Sequence, residues 1–424
     1  MKKYIITQEK LKTVKGEQNF IVSALYDENR KMIEASLSLP EADSILGNLY
    51  IGRVENVVKN LNAAFIRINP EQICYYSMDE YKQPLFTKKI SQKKPLVEGE
   101  ELVVQVSREA LKTKEPAVTT NLNFTGKYAV LTTENQSIGV SSKLAKTDRE
   151  RLKQLVENIE HPDFGLILRT NAANASDDEI LAEIAALAGE WQTLKETAQH
   201  QTCYTCLKKE PPAYIQEIVN LPTASVDELI TDDRSLFEQL CNMYGVDKTD
   251  LWTKGSVSVP IDEVKVTETL TLKYYNDSLL SLSALYSVKS SIENALAEKV
   301  WLKSGAYLII QPTEALTVID VNTGKNVAQK DVQENFLKIN KEAAIEIAHQ
   351  LRLRNISGII VVDFMNLTSK DAESELMSTF RAELKKDPVP TQLIDMTKLG
   401  LVEVTRKKVR KSLGEVLKKR NDYV

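Results

Sequence analysis

Residues 314–367 read EALTVIDVNTGKNVAQKDVQENFLKINKEAAIEIAHQLRLRNISGIIVVDFMNL. Within them, the runs LTVIDV (316–321) and IIVVDF (359–364) are apolar and β-branched, which is typical of strands buried on both faces. Between the runs, apolar residues recur every three or four positions over 331–354, which predicts a helix. The stretch therefore predicts a strand, a crossover helix and a second strand parallel to the first.

Both predicted strands end in an aspartate, Asp320 in the first and Asp363 in the second. The carboxyl ends of parallel strands meet at the edge where open α/β sheets bind ligands, and neighbouring strands lie about 4.8 Å apart. Two carboxylates at that spacing repel each other unless a proton or a cation lies between them. Mg²⁺ suits such a pair because one or two carboxylates, waters and a substrate phosphate usually hold it.

Asn322 follows Asp320 by two residues, so we expect its side chain on the same side of the strand, oriented toward a water or a phosphate oxygen. The alternative for both aspartates is structural, since Asp often caps the turn that follows a strand. The pattern of residues leaves both interpretations open.

Length, composition and charge limit the classes of protein to which the chain can belong. The 424 residues are enough for about two to four domains, and 42% hydrophobic with 27% charged residues is ordinary for a globular chain. Because the net charge is −4, a polyanion would have to be bound by local basic patches. The start MKKYIITQEK lacks the apolar core of a signal peptide, and no apolar run reaches the roughly 18 residues of a membrane span. We therefore expect a cytoplasmic protein with no membrane partner.

The four cysteines are expected to be reduced thiols in that compartment. Cys203 and Cys206 form a CxxC motif, which by itself supplies at most two zinc ligands. We interpret them as incidental thiols, with a partial zinc site near His200 as the alternative.

Short alternating strands predict two β-rich parts. Residues 1–38 are predicted to form hairpins, and residues 47–106 are predicted to form a small barrel of OB type, which binds single-stranded nucleic acid by stacking and charge. The candidate stacking residues are Phe65, Tyr75 and Tyr76. The candidate phosphate contacts are Arg53, Lys59, Arg67 and Lys114. The alternative is that Phe65 is a core residue and the charges form a solvated face.

Two further basic features could contact an anion. The predicted strand GLILRT (165–170) ends in Arg169 and Thr170, whose guanidinium and hydroxyl suit a terminal phosphate, although an arginine at a strand end is often only solvated. The C-terminal segment is rich in basic residues, which suggests polyanion contact, with a solvated helix face as the alternative. Those residues are Arg406, Lys407, Lys408, Arg410, Lys411, Lys418, Lys419 and Arg420.

Other segments carry simpler predictions. Residues 176–198 are predicted to form an amphipathic helix with Ser176 as N-cap, and residues 283–299 a second helix. Thr368 and Asp371 are expected to cap a helix that runs to about residue 385. Residues 252–280 are polar and read as poor in strands, and residues 81–94 read as a charged loop.

Several motifs resemble those of one known family. The core motif EALTVIDVNTGKN…NKEAAIEIAHQLRLRNISGIIVVDFMNL closely resembles the catalytic core of the ribonuclease E/G family, in a bacterial, endoribonuclease G-like form. The segment MTKLGLVEVTRKKVRKSLGE continues the resemblance. Upstream, GNLYIGRVENVV and NAAFIRI look like the family's S-one-type RNA-binding barrel. LTTENQSIGVSSKL and GLILRTNAANAS resemble its 5′-sensor region.

The resemblance implies an α/β and β multidomain fold. An RNase H-like subdomain would comprise residues 1–38 and 210–295, and an OB-fold RNA-binding domain would be inserted at 39–119. A 5′-sensor region would follow at 120–209. Residues 296–424 would form a DNase I-like catalytic domain with a basic C-terminal segment.

The resemblance also implies a Mg²⁺-dependent endoribonuclease that cleaves single-stranded RNA in rRNA or tRNA processing or mRNA decay and favours a 5′-monophosphate. Asp320 and Asp363 match the metal-binding aspartates, and Asn322 matches the catalytic-site asparagine. The matches to the 5′-phosphate sensor are Arg169, Thr170, Gly126 and Val130. The matches to RNA-binding positions of the barrel are Phe65, Tyr75 and Lys114.

Departures from the family pattern change the expectations. No CPxC motif follows SLGE, so a zinc-linked tetramer is not expected, and a homodimer and a monomer both stay open. Arg67 and Asn69 stand where an acidic residue and a glycine are usual, and Ser142 and Lys143 stand where an arginine pair is usual. RNA preference is therefore expected to differ. The rival functions are a non-catalytic RNA-binding protein, for example a ribosome-associated factor, and a metal-dependent DNase or phosphodiesterase.

Overall fold

The computed structural model describes residues 1–14, 16–40, 44–82, 84–110, 115–133, 136–142, 144–157, 159, 163–221, 226–246, 262–324 and 332–417. The expectations for Lys114, Lys143 and residues 418–420 lie outside these ranges. The chain divides into two compact units. The first comprises Met1–Glu41 and Ala224–Val424, and the second comprises Ala42–Thr223.

The described residues form a mixture of strands and helices. The strands are β1 (Lys3–Thr13), β2 (Gly16–Tyr26), β3 (Met32–Ser38), β4 (Leu49–Val58), β5 (Ala63–Arg67), β6 (Ile73–Ser77), β7 (Phe86–Lys88), β8 (Glu101–Arg108), β9 (Ala117–Thr119), β10 (Asn123–Thr125), β11 (Ala129–Thr132), β12 (Ile138–Val140), β13 (Gly165–Leu168), β14 (Cys206–Lys208), β15 (Glu228–Thr231), β16 (Glu263–Lys265), β17 (Thr271–Tyr274), β18 (Lys299–Trp301), β19 (Tyr307–Pro312), β20 (Leu316–Asn322), β21 (Gly358–Asp363), β22 (Thr391–Met396) and β23 (Leu401–Arg406). The helices are α1 (Lys146–Val156), α2 (Asp177–Ala198), α3 (Ala213–Asn220), α4 (Arg234–Met243), α5 (Leu282–Leu285), α6 (Val288–Leu296), α7 (Val332–Leu353), α8 (Lys370–Leu384) and α9 (Leu413–Leu417).

One sheet of the first unit has the strand order β16-β17-β15-β1-β2-β3. Strand β2 is antiparallel to both β1 and β3, whereas β15 runs parallel to both β1 and β17. The predicted hairpins over residues 1–38 are therefore confirmed. The expectation that residues 252–280 are poor in strands is wrong for the described part, because β16 and β17 form there. The polar sequence gave no sign of these strands because they form by pairing: β17 pairs with the distant β15, and β16 pairs with β17.

The other sheet of the first unit has the order β18-β19-β20-β21-β23-β22. Strands β20 and β21 are parallel and are joined through α7, as the sequence predicted, while the other pairs are antiparallel. Alternate residues of β20 and β21 pack with α7 and α8 in one apolar core, which includes Ile319, Ile347, Val362 and Phe380. The remaining side chains of these two strands are half-buried or exposed on the opposite face, which we call the open face.

Helix α7 connects the two sheets of the first unit. Its His349 places Nε2 3.0 Å from the carbonyl oxygen of Met32 at the start of β3. Leu353 at its last turn is buried in the core of the first sheet, together with Leu413 and Leu417 of α9. Because α7 packs against both sheets, it fixes the position of the two strands that form the open face.

The second unit contains a closed barrel. Strands β4, β5, β6, β9 and β8 pair in that order, and β8 pairs back with β4, so that five strands close on themselves. Ile66, Cys74, Tyr76 and Val104 are fully buried in its core. This architecture is consistent with the predicted OB-like domain.

A four-stranded sheet of order β10-β11-β13-β12 lies beside the barrel and shares apolar contacts with it. Helix α2 packs on this sheet through Ile180, Ile184, Leu187 and Trp191. Ser176 is its N-cap: it accepts a hydrogen bond from the Glu179 backbone N–H, and the Glu179 carboxylate accepts one from the Ser176 N–H. The predicted helix and its N-cap are confirmed.

Three local expectations are wrong. The helix expected over residues 283–299 is divided into α5 and α6 at Ser287, whose φ of 51° is left-handed. After α6 the chain enters β18. Ser369, not Thr368 or Asp371, occupies the N-cap position of α8. The loop expected at 81–94 contains β7, which pairs with β8. Within the described ranges, no helix has the length and apolar character needed to cross a membrane.

Candidate active site

Asp320 and Asp363 face each other across the two parallel strands. The register of β20 and β21 pairs Asp320 directly with Asp363, and both side chains belong to the open face. Asp320 is half-buried and Asp363 is exposed, so a ligand in solution can reach both. The crossover through α7 brings together two residues that are 43 positions apart in the chain, because it returns the second strand in parallel register with the first.

Asn322 is on the same face, one residue pair further along β20. Its Nδ2 donates a hydrogen bond of 2.7 Å to Oδ2 of Asp320. This bond uses one oxygen of the Asp320 carboxylate and helps to orient the whole group, whose second oxygen can accept a ligand. The three residues predicted from the sequence therefore lie together.

No salt bridge neutralises this carboxylate pair, Asp320 and Asp363, within the described ranges. In the same ranges, no group of three or more His, Cys, Asp or Glu side chains could hold a metal ion. A cation here would have two carboxylates from the protein and would complete its coordination with water or substrate, which suits Mg²⁺ and differs from a closed structural zinc site.

Arg169 and Thr170 follow β13 in the second unit. The Arg169 Nη1 donates a hydrogen bond of 2.5 Å to the carbonyl oxygen of Gly126, and its backbone N–H donates to the carbonyl of Tyr128. Burial lowers the pKa of the Arg169 guanidinium from its usual value, and the Glu183 carboxylate opposes that effect. Thr170 is exposed. The structure thus brings Arg169, Thr170 and Gly126 together.

Val130, the fourth expected sensor residue, lies in β11 opposite Ile167 of β13. Its side chain is half-buried on the outer face of the small sheet. Its cross-strand partner Ile167 precedes Arg169 by two residues, so Val130 lies on the strand next to the one that leads into Arg169.

The turn over residues 126–129, which we call the sensor turn, is held by a residue that sequence reasoning missed. The Glu183 carboxylate on α2 accepts hydrogen bonds from three consecutive backbone N–H groups, with Lys127 at 2.9 Å, Tyr128 at 2.7 Å and Ala129 at 2.9 Å. Charge-assisted bonds of this kind are roughly twice as strong as neutral ones. Glu183 therefore fixes the backbone that presents the Gly126 carbonyl to Arg169.

Gly126 is required by the same contact. A Cβ at this position would lie 2.3 Å from Oε1 and 2.5 Å from Cδ of Glu183. Any other residue would displace the carboxylate from the sensor turn. One signal in the sequence could have revealed Glu183. The residue follows Ile180 by three positions and precedes Leu187 by four, which places it on the apolar side of α2, where a carboxylate is unusual.

The barrel carries Phe65 and Tyr75 on its outer surface. They are cross-strand partners in β5 and β6, both half-buried, with ring centroids 6.3 Å apart at 79°. Tyr76 points to the opposite side and is fully buried, and its hydroxyl lies 3.0 Å from that of Thr120. The prediction that Tyr76 stacks on a base is therefore wrong.

The basic residues expected to contact phosphate differ in their surroundings. Arg53 and Lys59 are exposed on the barrel. Arg67 instead donates to the Glu55 carboxylate at 2.9 Å and to the Pro70 carbonyl at 2.9 Å. Its guanidinium is already used in a local ion pair.

Arg406 belongs to the core, not to a basic surface. It is 4% exposed and donates to both Asp387 carboxylate oxygens, at 2.8 Å and 3.3 Å, and to Asn355 Oδ1 at 2.7 Å. The expectation that Arg406 contacts a polyanion is wrong. The basic sequence pattern gave no sign of this role because Asp387 reaches Arg406 only through the pairing of β22 with β23.

The sequence model described as the Ribonuclease E/G family matches residues 123–409. The chain belongs to the ribonuclease E/G family. The protein named Ribonuclease G of Haemophilus influenzae is 32% identical over 387 residues, which cover 88% of this chain and 74% of that protein. Ribonuclease G of Escherichia coli K12 is 32% identical over 386 residues, with 88% and 75% covered.

The relatives named Ribonuclease E are longer. Ribonuclease E of a Nostoc species is 31% identical over 376 residues, which cover 88% of this chain but 52% of that protein. This member of the ribonuclease E/G family therefore spans about three quarters of the ribonuclease G relatives and about half of the Nostoc ribonuclease E.

Proposed function

We propose that this protein is an endoribonuclease that cleaves single-stranded RNA by Mg²⁺-dependent hydrolysis of a phosphodiester bond. The observation that carries the proposal is the pairing of Asp320 with Asp363 on the open face, with Asn322 bonded to Asp320. Membership of the ribonuclease E/G family and the relatives named Ribonuclease G and Ribonuclease E support the same activity.

Mg²⁺ fits these residues because two adjacent, solvent-accessible carboxylates supply hard oxygen ligands and leave positions for water and phosphate. Asp320 and Asp363 would hold the ion. When bound, Mg²⁺ supplies Lewis-acid stabilisation of the charge that develops on the scissile phosphate.

The chain's own groups then orient the reactants. Asn322 fixes the rotamer of Asp320 through its Nδ2, and its amide oxygen can accept a hydrogen bond from the attacking water. Attack by water on the phosphodiester gives products with a 5′-phosphate and a 3′-hydroxyl end.

Preference for a 5′-monophosphate is part of the proposal. The Arg169 guanidinium and the Thr170 hydroxyl would bind the terminal phosphate, with Gly126 and Val130 on the sensor turn and the strand that follows it. The bond from Arg169 to the Gly126 carbonyl supports this role because it presets the guanidinium. Phe65 and Tyr75 on the barrel would stack on bases of the single strand.

The division of the chain is proposed on the same basis. Residues 1–38 with 210–295 form an RNase H-like subdomain, residues 39–119 an OB-fold domain and residues 120–209 the 5′-sensor region. Residues 296–424 form a DNase I-like catalytic domain. The sheet that joins β1 to β15 and β17, and the separate sheet that carries Asp320, support this division.

The test is cleavage of a labelled single-stranded RNA with Mg²⁺ and with EDTA. Wild type should cleave only with Mg²⁺, and Asp320→Asn should bind the RNA without cleaving it. RNA binding without Mg²⁺-dependent cleavage would identify a non-catalytic RNA-binding protein, and equal cleavage of single-stranded DNA would identify a less selective nuclease. Equal rates on 5′-monophosphate and 5′-hydroxyl RNA, unchanged by Arg169→Ala, would remove the sensor from the proposal.

A further inference from the structure

An exposed aromatic group lies on the sheet that carries the two aspartates. Trp301 at the end of the edge strand β18 is 63% exposed, and its ring centroid is 5.2 Å from that of Tyr307 in β19. The Lys299 ammonium lies 4.0 Å from the Trp301 centroid and 3.7 Å from the Tyr307 centroid. We call these three residues the aromatic row.

The strand register places the aromatic row on the open face. Trp301 pairs with Tyr307, and Tyr307 pairs with Asn322. Because cross-strand partners point to the same side of a sheet, the two rings lie on the same face as Asn322. Lys299 is in the neighbouring register position, which continues across the sheet through Ile309 to Asp320 and Asp363.

The spacing suits adjacent nucleotides. Two strand separations lie between Trp301 and Asn322, which is about 10 Å between their backbones. Residues of the opposite face, such as Leu308 and Val321, are buried against α7 and α8, so the aromatic row cannot turn into the core. The rings therefore lie within reach of a base next to a nucleotide whose phosphate contacts Asp320 and Asp363.

Packing does not account for Trp301. At 63% exposure most of its apolar surface stays in water, so the side chain adds little to the stability of the sheet. Exposed aromatic rings accompanied by a positive charge are the chemistry by which proteins bind single-stranded nucleic acid without regard to sequence. The cation near the rings also matches a polyanion better than it matches an apolar protein partner.

We propose that the aromatic row is a base-stacking subsite for the nucleotide next to the scissile bond, with Trp301 and Tyr307 receiving the base and Lys299 facing a flanking phosphate. The inference rests on the proposed endoribonuclease activity and adds to it a substrate contact on the catalytic sheet itself. Its occupant is the single-stranded RNA substrate.

The test pairs protein variants with substrates that lack one base. Cleavage of a single-site 5′-monophosphate RNA, intact or with an abasic nucleotide at each position near the cleavage point, is measured for wild type, Trp301→Ala and Trp301→Phe. On intact RNA we expect kcat/KM to fall by about 5- to 150-fold in Trp301→Ala, as loss of one base–aromatic stack implies, and by much less in Trp301→Phe. At one abasic position, Trp301→Ala should cause no further loss.

The matched control is Ile359→Ala, which removes an exposed apolar side chain from the same open face at the far end of β21. It should cleave all substrates like wild type. Circular dichroism and light scattering of each variant report the fold and the oligomeric state.

Three outcomes would overturn the inference. One is Trp301→Ala with wild-type rates on every substrate. A second is a loss that is equal on intact and on all abasic RNAs. The third is a loss accompanied by a change in molecular mass, which would make the aromatic row an interface between copies of this chain. Failure of wild type to cleave any RNA with Mg²⁺ would instead refute the proposed function, so the two failures are distinguishable.

Discussion

Glu183 offers the sharpest test of the proposed 5′-phosphate sensor, because one carboxylate holds three backbone N–H groups. In Glu183→Gln, one amide oxygen can keep the bonds from Tyr128 and Ala129, but the amide NH₂ then faces the Lys127 N–H, and two donors repel. A hydrogen bond to a charged group contributes about 1.5–3 kcal/mol, so this substitution should destabilise the sensor turn by about that amount. Glu183→Ala removes all three bonds. Because the site is half-buried, water can accept hydrogen bonds from some of the N–H groups and so offsets part of the lost stability.

The assay is the ratio of kcat/KM for 5′-monophosphate RNA to that for 5′-hydroxyl RNA. If the sensor turn must be ordered for Arg169 to bind phosphate, about 1.5–3 kcal/mol corresponds to a roughly 10- to 150-fold fall in this ratio, down to a limit of one. Cleavage of 5′-hydroxyl RNA should stay at the wild-type rate. Hydrogen exchange of the Lys127 amide should quicken in both variants, which reports the turn directly.

Glu190→Gln is the matched control, since it removes a carboxylate that pairs with Lys208 at 2.7 Å and lies about two turns along the same helix from Glu183. It should leave the ratio unchanged. If Glu183→Ala is folded and keeps the wild-type ratio while the Lys127 amide exchanges faster, the sensor turn does not govern phosphate binding and the reasoning is refuted.

Three further predictions concern catalysis and stability. Asn322→Ala should lower kcat by about 10- to 100-fold because it removes the hydrogen bond that orients the Asp320 carboxylate. RNA affinity, measured by fluorescence anisotropy, should change little. A wild-type kcat would exclude an orienting role for Asn322. Arg406→Met should lower the free energy of unfolding in urea by about 3–5 kcal/mol because it leaves Asp387 buried without its partner, and a change under 1 kcal/mol would contradict this. Burial alone would raise the pKa of Glu100, but the backbone N–H groups of Ser91, Val97 and Ile90 and the Lys89 ammonium hold it below its usual value. The resulting stability should be fully present above about pH 5 and lost as the pH falls below about 4, and Glu100→Gln should flatten this acid dependence of urea unfolding.

The carboxylate pair was predictable because each step is local or follows from handedness. Apolar β-branched runs predicted β20 and β21, the period of apolar residues predicted α7, and the right-handed crossover placed Asp320 beside Asp363. The register between β20 and β21, which pairs Asp320 directly with Asp363, was not predictable from the sequence pattern, because it depends on how α7 packs.

What sequence reasoning missed depends on contacts distant along the chain. β18 forms because Lys299–Trp301 pairs with β19, although residues 283–299 alone read as one helix. Glu183 and Arg406 gain their roles from partners 54–56 and 19 residues away, respectively. Tyr75 and Tyr76 were both plausible stacking residues, and only the closure of the barrel decides which of two adjacent side chains faces outward.

The packing of α9 in the core of the first sheet has a consequence for synthesis of the protein. β1 and α9 are separated by about 400 residues, yet Leu413 and Leu417 lie in the same core as Ile5 and Phe20. At about 5–20 residues per second, the first strands made must wait roughly 20–80 s on the ribosome for their last apolar partner. The unit Ala42–Thr223 is continuous in sequence, so it can fold during that interval while the earlier strands stay unfinished. A chain stalled before α9 would leave exposed the part of this core that Leu413 and Leu417 cover.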